Sequence, residues 1–460
     1  MSTFDVAVVG GGPGGYVAAI KAAQLGGNVC LIEQGDWGGT CLNRGCIPTK
    51  TLHAVANLMR QVHEAEGFGI KIQGAEVDYQ RVVNHKDETV RKLTRGIGQL
   101  LKGNAVRTIS GSAKLAGSDS IVVNKADGSI EQVRASKIIL ATGSEPANIP
   151  TFDIDEQLVL STTGILELSE LPKSLIIVGA GVSGCEFASI FNGLGSQIIL
   201  LELLPTILAT EDVHIVRQVR QAMKRKGIDI KTGVNVTEVE KLDSGVSAKL
   251  ESGEVINAER MLVSIGRRLN SVGIGLEDVG VRTEKSKICV NERMETNIPG
   301  IYAVGDVASR YALAHVASRE GIVAARNCMG EEVEMDYGTV PWCVFTIPEV
   351  ARVGLTEDEA VAEGYEVKIG RFPYAASGKA IGMRETEGFV KVISDPDSED
   401  ILGVHILGAH ASDLIHEAAL AIRLGASVSD LAHTIHAHPT LGEAVMESAE
   451  AAYNRAIHIM

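Results

Sequence analysis

The sequence contains the same long pattern twice, and this repeat constrains the fold more than any other feature. Residues 5–35 match residues 174–204 without a gap. Each copy reads as an apolar strand, a G-x-G-x-x-G turn, a helix with small residues on one side and a second apolar strand ending in glutamate. The repeat therefore predicts two doubly wound, Rossmann-like α/β units in one chain. The turn glycines are Gly10, Gly12 and Gly15 in the first copy and Gly179, Gly181 and Gly184 in the second.

Both turns have the context of a dinucleotide-binding fingerprint: a strand before, a helix after and an acidic residue about 20 positions later. The first glycine permits the tight turn, the second lets a pyrophosphate approach the backbone, and the third lets the helix pack on its strand. A single copy could be an ordinary glycine turn. Two copies in register, each with its glutamate, predict that the chain binds two nucleotides.

The two acidic residues, Glu33 and Glu202, indicate which nucleotides these are. Each occupies the position where a carboxylate accepts hydrogen bonds from a ribose 2′-hydroxyl. Leu203, Leu204 and Pro205 follow Glu202, so no basic side chain is at hand for a 2′-phosphate. The nicotinamide cofactor is therefore predicted to be NAD rather than NADP.

Composition narrows the class of protein. With 460 residues, 45% of them hydrophobic, the chain is long enough for about three globular domains. Its net charge of −15 argues against nucleic acid as a partner. No apolar run approaches 18 residues, so we expect no association with a membrane. The start of the sequence lacks the positive charge of a signal peptide, so we expect a cytoplasmic location. The seven cysteines are an odd number, so any disulfide is expected to be catalytic rather than structural.

Further strands are predicted to end in short glycine signatures, at 138–143, 261–266 and 301–306. The last of the three places Asp306 where it can accept a hydrogen bond from a polyol hydroxyl. The alternative for Asp306 is an ordinary N-cap of a helix beginning at Val307. The strand at 261–266 is expected to close the second nucleotide unit.

Cys41 and Cys46 lie soon after the first fingerprint, with four residues between them. No spacing typical of a metal site occurs, and no metal is expected. Residues five apart in an ideal helix are roughly 8–9 Å apart at Cα, whereas a disulfide needs about 4.4–6.8 Å. We therefore expect a distorted turn, followed by a helix that ends near the residues after Pro48. Two buried free thiols are the alternative. Three glycines allow the turn: Gly38, Gly39 and Gly45.

The position of the cysteines suggests the cofactor pair. A dithiol does not exchange hydride with NAD directly, whereas a flavin accepts hydride on one face and passes electrons to a disulfide on the other. Because the cysteines follow the first fingerprint, we expect FAD at the first site and NAD at the second.

A base is needed to deprotonate a dithiol substrate. His438, with Glu443 one turn into a helix that starts at Pro439, is the favoured candidate, and His436 is the alternative.

These motifs together resemble the flavoprotein disulfide reductases, the class I pyridine nucleotide-disulfide oxidoreductases, from end to end. The C-x-x-x-x-C segment combined with H-P-T-x-x-E is highly specific for that family, and Glu202 with HAHPTLGE points to its lipoamide-oxidising branch. The resemblance implies oxidation of a protein-bound dihydrolipoyl group by NAD through a redox disulfide and FAD. The alternative is a related NAD(P)H-dependent disulfide reductase or diaphorase. The motifs that carry the resemblance are GGGPGG, GTCLNRGCIPTK, ATGS, GAGVSG, IYAVGD, TIPEVARVGLT and HAHPTLGE.

Roles for individual residues are implied by the same resemblance. Cys41 corresponds to the interchange thiol that meets the substrate, and Cys46 to the thiol that contacts the flavin. His438 and Glu443 correspond to an acid–base pair supplied by the other subunit of a homodimer. The remaining site residues form three implied sets: Lys50 beside the flavin, paired with Glu186; FAD contacts at Glu33, Thr142, Gly143, Asp306 and Ala314; and NAD contacts at Glu202, Val236 and Gly266.

The resemblance also implies four segments: an FAD domain (1–148), an NAD domain (149–268), a central segment completing the FAD domain (269–337) and an α+β dimerisation domain (338–460). The first fingerprint begins by Gly10, so we expect no lipoyl domain before it. The substrate is therefore expected to be a lipoylated partner protein. Arg44 departs from the valine usual in the family. A cation there could favour a thiolate, and a solvated surface arginine is the alternative.

Overall fold

A parallel sheet surrounds the first fingerprint; the structure is a computed structural model that describes residues 2–459. The elements up to residue 146 are β1 (Ser2–Val9), α1 (Pro13–Gln24), β2 (Val29–Glu33), α2 (Gly39–Arg44), α3 (Cys46–Glu64), α4 (Tyr79–Gly103), β3 (Arg107–Ser110), β4 (Ser112–Gly117), β5 (Ser120–Asn124), β6 (Ile130–Leu140) and β7 (Ser144–Pro146). Strands β3, β2, β1 and β6 lie side by side and parallel, and β6 also joins β5 and β4 in an antiparallel meander. The apolar run 6–9 is buried, as expected for a parallel strand covered on both faces.

The second fingerprint lies in a sheet of the same order. Its region contains β8 (Val159–Leu160), β9 (Ser174–Val178), α5 (Val182–Leu194), β10 (Gln197–Glu202), α6 (Val213–Arg225), β11 (Asp229–Thr232), β12 (Val236–Leu242), β13 (Gly245–Leu250), β14 (Val255–Ala258) and β15 (Arg260–Val263). β10 and β15 flank β9 as β2 and β6 flank β1, and β12–β14 form a separate antiparallel meander. The predicted repeat of strand, turn, helix and strand is confirmed in both copies.

The chain then returns to the first sheet through β16 (Arg267–Leu269), α7 (Leu276–Val279), β17 (Thr283–Glu284), β18 (Lys287–Ile288), β19 (Ile301–Ala303) and α8 (Ala314–Cys328). β19 adds to the far side of β6 in parallel. α8 packs closely on α1, since a Cβ on Gly321 would lie 2.3 Å from the carbonyl oxygen of Gly14. The first sheet is therefore completed by a segment that is distant in the sequence.

The C-terminal part is a five-stranded antiparallel sheet in the order β20-β21-β24-β23-β22, with helices packed on it. Its elements are β20 (Trp342–Val344), β21 (Glu349–Gly354), α9 (Glu357–Ala362), β22 (Lys368–Pro373), α10 (Gly378–Met383), β23 (Phe389–Ser394), β24 (Ile401–Gly408), α11 (Ala411–Leu424), α12 (Val428–His433) and α13 (Glu443–Ala451). The predicted fold class, two Rossmann-like units and a C-terminal α+β domain, is confirmed. Between residues 2 and 459, none of the helices combines the length and the apolar character needed to cross a bilayer.

Candidate active site

The two fingerprint turns have nearly the same backbone. Gly10 and Gly179 have φ of 104° and 97°, a region that favours glycine. A Cβ on Gly15 would lie 1.8 Å from the carbonyl oxygen of Gly10, and one on Gly184 would lie equally close to that of Gly179. Glycine at the third position therefore lets each helix pack this closely against its strand.

Each fingerprint glutamate is fixed beside its turn. The carboxylates of Glu33 and Glu202 each accept hydrogen bonds from two backbone amides, at 2.5–2.8 Å. One amide lies in the glycine turn, and the other lies two residues after the glutamate itself. Both carboxylates are thus held at the carboxyl end of a strand, the edge where open α/β sheets bind ligands. The amide donors are Gly11 and Gly35 for Glu33, and Ala180 and Leu204 for Glu202.

The middle glycine of each turn is not required by the packing of the protein itself. A Cβ on Gly181 would have no neighbour within 4 Å, and one on Gly12 would meet only Gly39 Cα, at 4.0 Å. Both glycines have φ of −70°, which any residue can adopt. The small residue instead keeps space open at a helix N-terminus, where free amides attract a pyrophosphate. The residues present therefore fit a dinucleotide at each turn.

The other predicted cofactor residues lie at strand or helix ends around these turns. Gly143 and Gly266 follow β6 and β15 with φ of 68° and 126°. Thr142 Oγ1 donates to the carbonyl oxygen of Asn270 at 2.7 Å, which joins the end of β6 to the segment after β16. Val236 begins β12 and Ala314 begins α8, whose N-cap residue provides no side-chain acceptor for the first amides.

Asp306 does not cap a helix, because the next helix, α8, begins only at Ala314. The N-cap alternative is therefore wrong. The Asp306 carboxylate accepts a hydrogen bond from the hydroxyl of Ser144 and lies 3.6 Å from Nε of Arg267. These contacts fix the carboxylate just beyond the end of β19.

The cysteine segment contains the predicted distortion, but the helix after it is longer than expected. α2 ends at Arg44, Gly45 has φ −151° and ψ −113°, and α3 begins at Cys46. The expectation that this helix ends soon after Pro48 is wrong, since α3 continues to Glu64. Pro48 lies in the first turn, where backbone amides have no acceptor within the helix, so the missing N–H does not interrupt it.

This segment packs directly on the first fingerprint turn. The amide of Gly38 donates to the carbonyl oxygen of Gly11 at 2.8 Å, and a Cβ on Gly39 would lie 2.7 Å from Gly12 Cα. The cysteines are therefore neighbours of the first nucleotide site, whereas the second turn belongs to a different sheet.

The thiols of Cys41 and Cys46 interact with each other. The hydrogen bond that Cys41 donates lowers the pKa of Cys46 to about 7, helped against burial by the charge of Lys50. The same bond, with burial, raises the pKa of Cys41. The pair therefore divides into an ionisable Cys46 and a protonated Cys41.

Lys50 links the thiols to the second unit. Its Nζ lies 2.8 Å and 3.0 Å from the carboxylate oxygens of Glu186 on α5. Glu186 is buried and also accepts a hydrogen bond from the backbone amide of Phe345, at 2.9 Å. Lys50, rather than the exposed Arg44, supplies the positive charge that acts on both thiols. The arrangement favours the reading of Arg44 as a surface residue.

His438 and Glu443 form a pair near the C-terminus. His438 Nδ1 lies 2.9 Å from Glu443 Oε1, and the histidine side chain is 80% exposed. Burial raises the pKa of Glu443, but the hydrogen bonds from the Thr440 amide and His438 outweigh it, so this pKa lies below its ordinary value. The expectation that Glu443 lies one turn into a helix is wrong. α13 begins at Glu443, and Gly442 is its N-cap.

His436 is held differently from His438. Its side chain is only 8% exposed; Nδ1 lies 2.8 Å from the Thr434 carbonyl oxygen and Nε2 lies 2.8 Å from Glu417 Oε1. Nδ1 is engaged by a carbonyl oxygen, and Nε2 is buried beside the Glu417 carboxylate without a hydrogen bond to it, so the His436 ring is withdrawn from solvent, which favours His438 as the base. No hydrogen bond joins His438 to either thiol in the part of this chain that the structure describes.

Sequence reasoning missed one cluster of charged residues. Ligand atoms of Asp212, His214 and Glu357 lie within 4.8 Å of one another. The fully buried Lys391 places its Nζ 2.6 Å from Asp212 and 2.7 Å from Glu357. The ammonium supplies the positive charge that these carboxylates require and joins α6 to the C-terminal sheet. Residues so far apart in the chain give no local signal in the sequence.

Fold and site together define a class: a redox protein with two dinucleotide sites, a thiol pair beside the first, and an antiparallel C-terminal domain. Residues 4–321 match the family model for pyridine nucleotide-disulphide oxidoreductases, and residues 340–449 match the dimerisation domain of those enzymes. The chain belongs to the pyridine nucleotide-disulphide oxidoreductase family, and its cofactors are FAD and NAD.

Named relatives are similar over nearly the whole chain. A dihydrolipoyl dehydrogenase of Chlamydia muridarum is 44% identical over 459 residues, with 99% of this chain and 98% of the relative covered. One of Bacillus subtilis is 43% identical, with 99% of each covered. Among solved structures, LpdA from Mycobacterium tuberculosis has a TM-score of 0.92 at 26% identity, covering 98% of this chain and 99% of that one. The HOCl-induced flavoprotein disulfide reductase RclA from Escherichia coli, as its Cu(II) complex, has a TM-score of 0.90 at 28% identity with the same coverage.

Proposed function

We propose that this enzyme oxidises a protein-bound dihydrolipoyl group and passes two electrons through Cys41 and Cys46 to FAD and then to NAD. The observation that carries the proposal is the interacting thiol pair packed against the first nucleotide turn. Full-length similarity to dihydrolipoyl dehydrogenases supports this activity over a diaphorase or another disulfide reductase. When bound, FAD supplies the redox centre that accepts two electrons from a dithiol and gives hydride to NAD.

The two cysteines exchange sulfur–sulfur bonds with the substrate. In the oxidised pair, a substrate thiolate attacks Cys41, the protein disulfide breaks, and Cys46 leaves as a thiolate. A pKa of about 7 makes Cys46 a good leaving group. The second substrate thiol then attacks the mixed disulfide, which releases Cys41 and closes the lipoyl disulfide. The two substrate thiols are oxidised and the protein disulfide is reduced to two thiols, so the electrons balance.

Proton transfer falls to the histidine pair. The proton of the attacking substrate thiol goes to the partner subunit's His438, and Glu443 orients that ring. The exposure of His438 in a single chain fits a role in the site of a second subunit. Lys50 stabilises the Cys46 thiolate, and Glu186 holds Lys50.

We assign FAD to the first fingerprint and NAD to the second, with domain boundaries at 1–148, 149–268, 269–337 and 338–460. Contact between the cysteine segment and the first turn supports this order. The carboxylate of Glu202, followed by exposed Leu203 and Leu204, supports NAD over NADP. Proposed cofactor contacts are Glu33, Thr142, Gly143, Asp306 and Ala314 for FAD, and Glu202, Val236 and Gly266 for NAD.

The decisive experiment measures NADH formation from dihydrolipoamide in the parent enzyme and in Cys41→Ser. We expect the variant to lose this activity, because the mixed disulfide cannot form. Cys289→Ser is a matched control, since Cys289 is another half-buried free thiol and lies outside the site. Full activity in Cys41→Ser would refute the dithiol mechanism, and a preference for NADP in the parent enzyme would refute the interpretation of Glu202.

The substrate arm is proposed to belong to a lipoylated protein of a multienzyme complex. Affinity purification of the full chain, followed by detection of lipoyl-lysine in the bound fraction, tests this part separately. Recovery of the chain with no lipoylated protein at any salt concentration would argue against it.

A further inference from the structure

Three parts of the fold meet at the ammonium group of Lys50. Lys50 lies on α3, Glu186 on α5, and Phe345 directly after β20. Lys50 Nζ is 4.5 Å from the centroid of the Phe345 ring, within the range of a cation–π interaction. The backbone amide of Phe345 donates to Glu186. Phe345 therefore contacts both members of the ion pair, although it lies outside both fingerprints.

The ring of Phe345 is itself held in place. His53 lies one turn after Lys50 on α3, and its ring meets Phe345 edge-on, with centroids 6.1 Å apart and an interplanar angle of 77°. Burial lowers the pKa of His53; Glu349 and Glu186 oppose this shift, and Lys50 adds to it. A neutral imidazole therefore braces the ring, and the cation that faces the ring is Lys50.

The ion pair with Glu186 does not by itself fix Lys50. The lysine side chain remains 31% exposed, and a partly exposed ion pair constrains a long side chain only weakly. An aromatic face adds a second, directional attraction that limits the rotamers of the stem. The position of Nζ matters because the force of a charge on a thiolate falls with distance.

We infer that Phe345 is a positioning residue that holds Lys50 where its charge stabilises the Cys46 thiolate. The inference rests on the proposed function, since that function gives Cys46 its role as the leaving thiolate. Phe345 reaches neither the thiols nor the substrate in this scheme and acts through Lys50 alone.

The test follows the ionisation of Cys46 in a Cys41→Ser background, where Cys46 is the one remaining thiol of the pair. The rate of Cys46 alkylation by iodoacetamide is measured against pH by peptide mass spectrometry on the flavin-loaded protein. We expect Phe345→Leu to move the midpoint upward by about half a pH unit, which is roughly a threefold fall in the thiolate-to-thiol ratio. Phe345→Tyr keeps the aromatic face and should retain the parental midpoint.

A matched control removes a similar contact elsewhere. Lys368 Nζ lies 4.3 Å from the ring centroid of Tyr453 in the C-terminal domain, so Tyr453→Leu should leave the Cys46 midpoint unchanged. If Phe345→Leu fails to fold, Phe345→Met, with a longer apolar side chain, answers the same question.

An unchanged midpoint in Phe345→Leu or Phe345→Met would overturn the inference, as would equal shifts in the leucine and tyrosine variants. Failure of the proposed function is detected separately. It would appear as dihydrolipoamide oxidation by the single variant Cys41→Ser, whatever the alkylation midpoints of the Phe345 variants.

Discussion

Replacing Gly181 with alanine separates what the second fingerprint does for the fold from what it does for the cofactor. Gly181 has φ −70° and ψ −168°, and a Cβ there would have no neighbour within 4 Å. Alanine adopts this conformation without strain and reduces the entropy of the unfolded chain. Because alanine is also less favourable than glycine at the N-cap of a helix, the two effects oppose each other, and we expect the free energy of unfolding to change by less than about 1 kcal/mol.

The same substitution should weaken the binding of NAD. The new methyl group would occupy the space through which a pyrophosphate approaches the amides at the start of α5, and overpacking a tight contact costs roughly 1–3 kcal/mol. Since 1.4 kcal/mol corresponds to a tenfold change, the Kd for NAD should increase by about fivefold to somewhat more than a hundredfold. The KM for dihydrolipoamide should not change.

Two measurements check this prediction: denaturant unfolding without nicotinamide cofactor, and equilibrium titration with NAD. Gly12→Ala is the matched variant in the first turn, because Gly12 has the same φ and its Cβ would meet only Gly39 Cα, at 4.0 Å. It should lower the flavin content of the purified protein and leave the NAD site intact.

An unchanged Kd for NAD in folded Gly181→Ala would mean that no pyrophosphate approaches this turn. Loss of flavin from Gly181→Ala, with retention in Gly12→Ala, would reverse the order of the two sites.

The remaining predictions concern the base, the thiolate and the buried ion cluster. His438→Gln should lower kcat for dihydrolipoamide oxidation by about 10²–10⁴-fold in steady-state assays, and a parental kcat would exclude His438 as the base. In Cys41→Ser, where the serine hydroxyl can still donate to Cys46, alkylation of Cys46 should have a midpoint below the ordinary thiol pKa of about 8.5, because this hydrogen bond and the charge of Lys50 lower the pKa of Cys46; a midpoint at or above that value would contradict the stabilised thiolate. Lys391→Met should destabilise the fold by roughly 3–5 kcal/mol in denaturant unfolding, because it leaves the buried Asp212 carboxylate unpaired, and Asp212→Asn in the same chain should recover part of the loss. Burial raises the pKa of Asp212, but the hydrogen bond and charge of Lys391 hold this pKa below its ordinary value. The stabilisation by this ion pair is therefore present above about pH 4 and disappears as the pH falls through the lowered pKa of Asp212. Equal acid sensitivity of the parent and Lys391→Met would contradict this pH dependence.

The nucleotide units were predictable because their chemistry is local. In each fingerprint, the glycine turn, the close helix packing and the glutamate that is hydrogen-bonded to the turn lie within one short stretch, as Gly179, Gly184 and Glu202 illustrate. The break before Cys46 was predictable for the same reason, since a disulfide between Cys41 and Cys46 cannot span a regular helix. Errors arose where a local preference was overread: Pro48 was taken as a helix end, and Pro439 as a helix start.

The pairings between distant segments could not be derived from local patterns. Lys50 with Glu186 was reached only through a family resemblance, and the contact of Phe345 with both was not anticipated at all. The cluster of Lys391 with Asp212 was missed for the same reason, because neither residue carries a signal near its own position.

The sequence alone determined that two nucleotide-binding units exist and that two cysteines follow the first of them, because strand period, glycine spacing and carboxylate position are properties of neighbouring residues. Tertiary structure decided which turn the cysteines touch, which cation acts on them, and which histidine keeps an exposed ring. Those outcomes depend on packing between separate units, where burial and distance set the strength of every charge, and neither quantity is defined until the chain has folded.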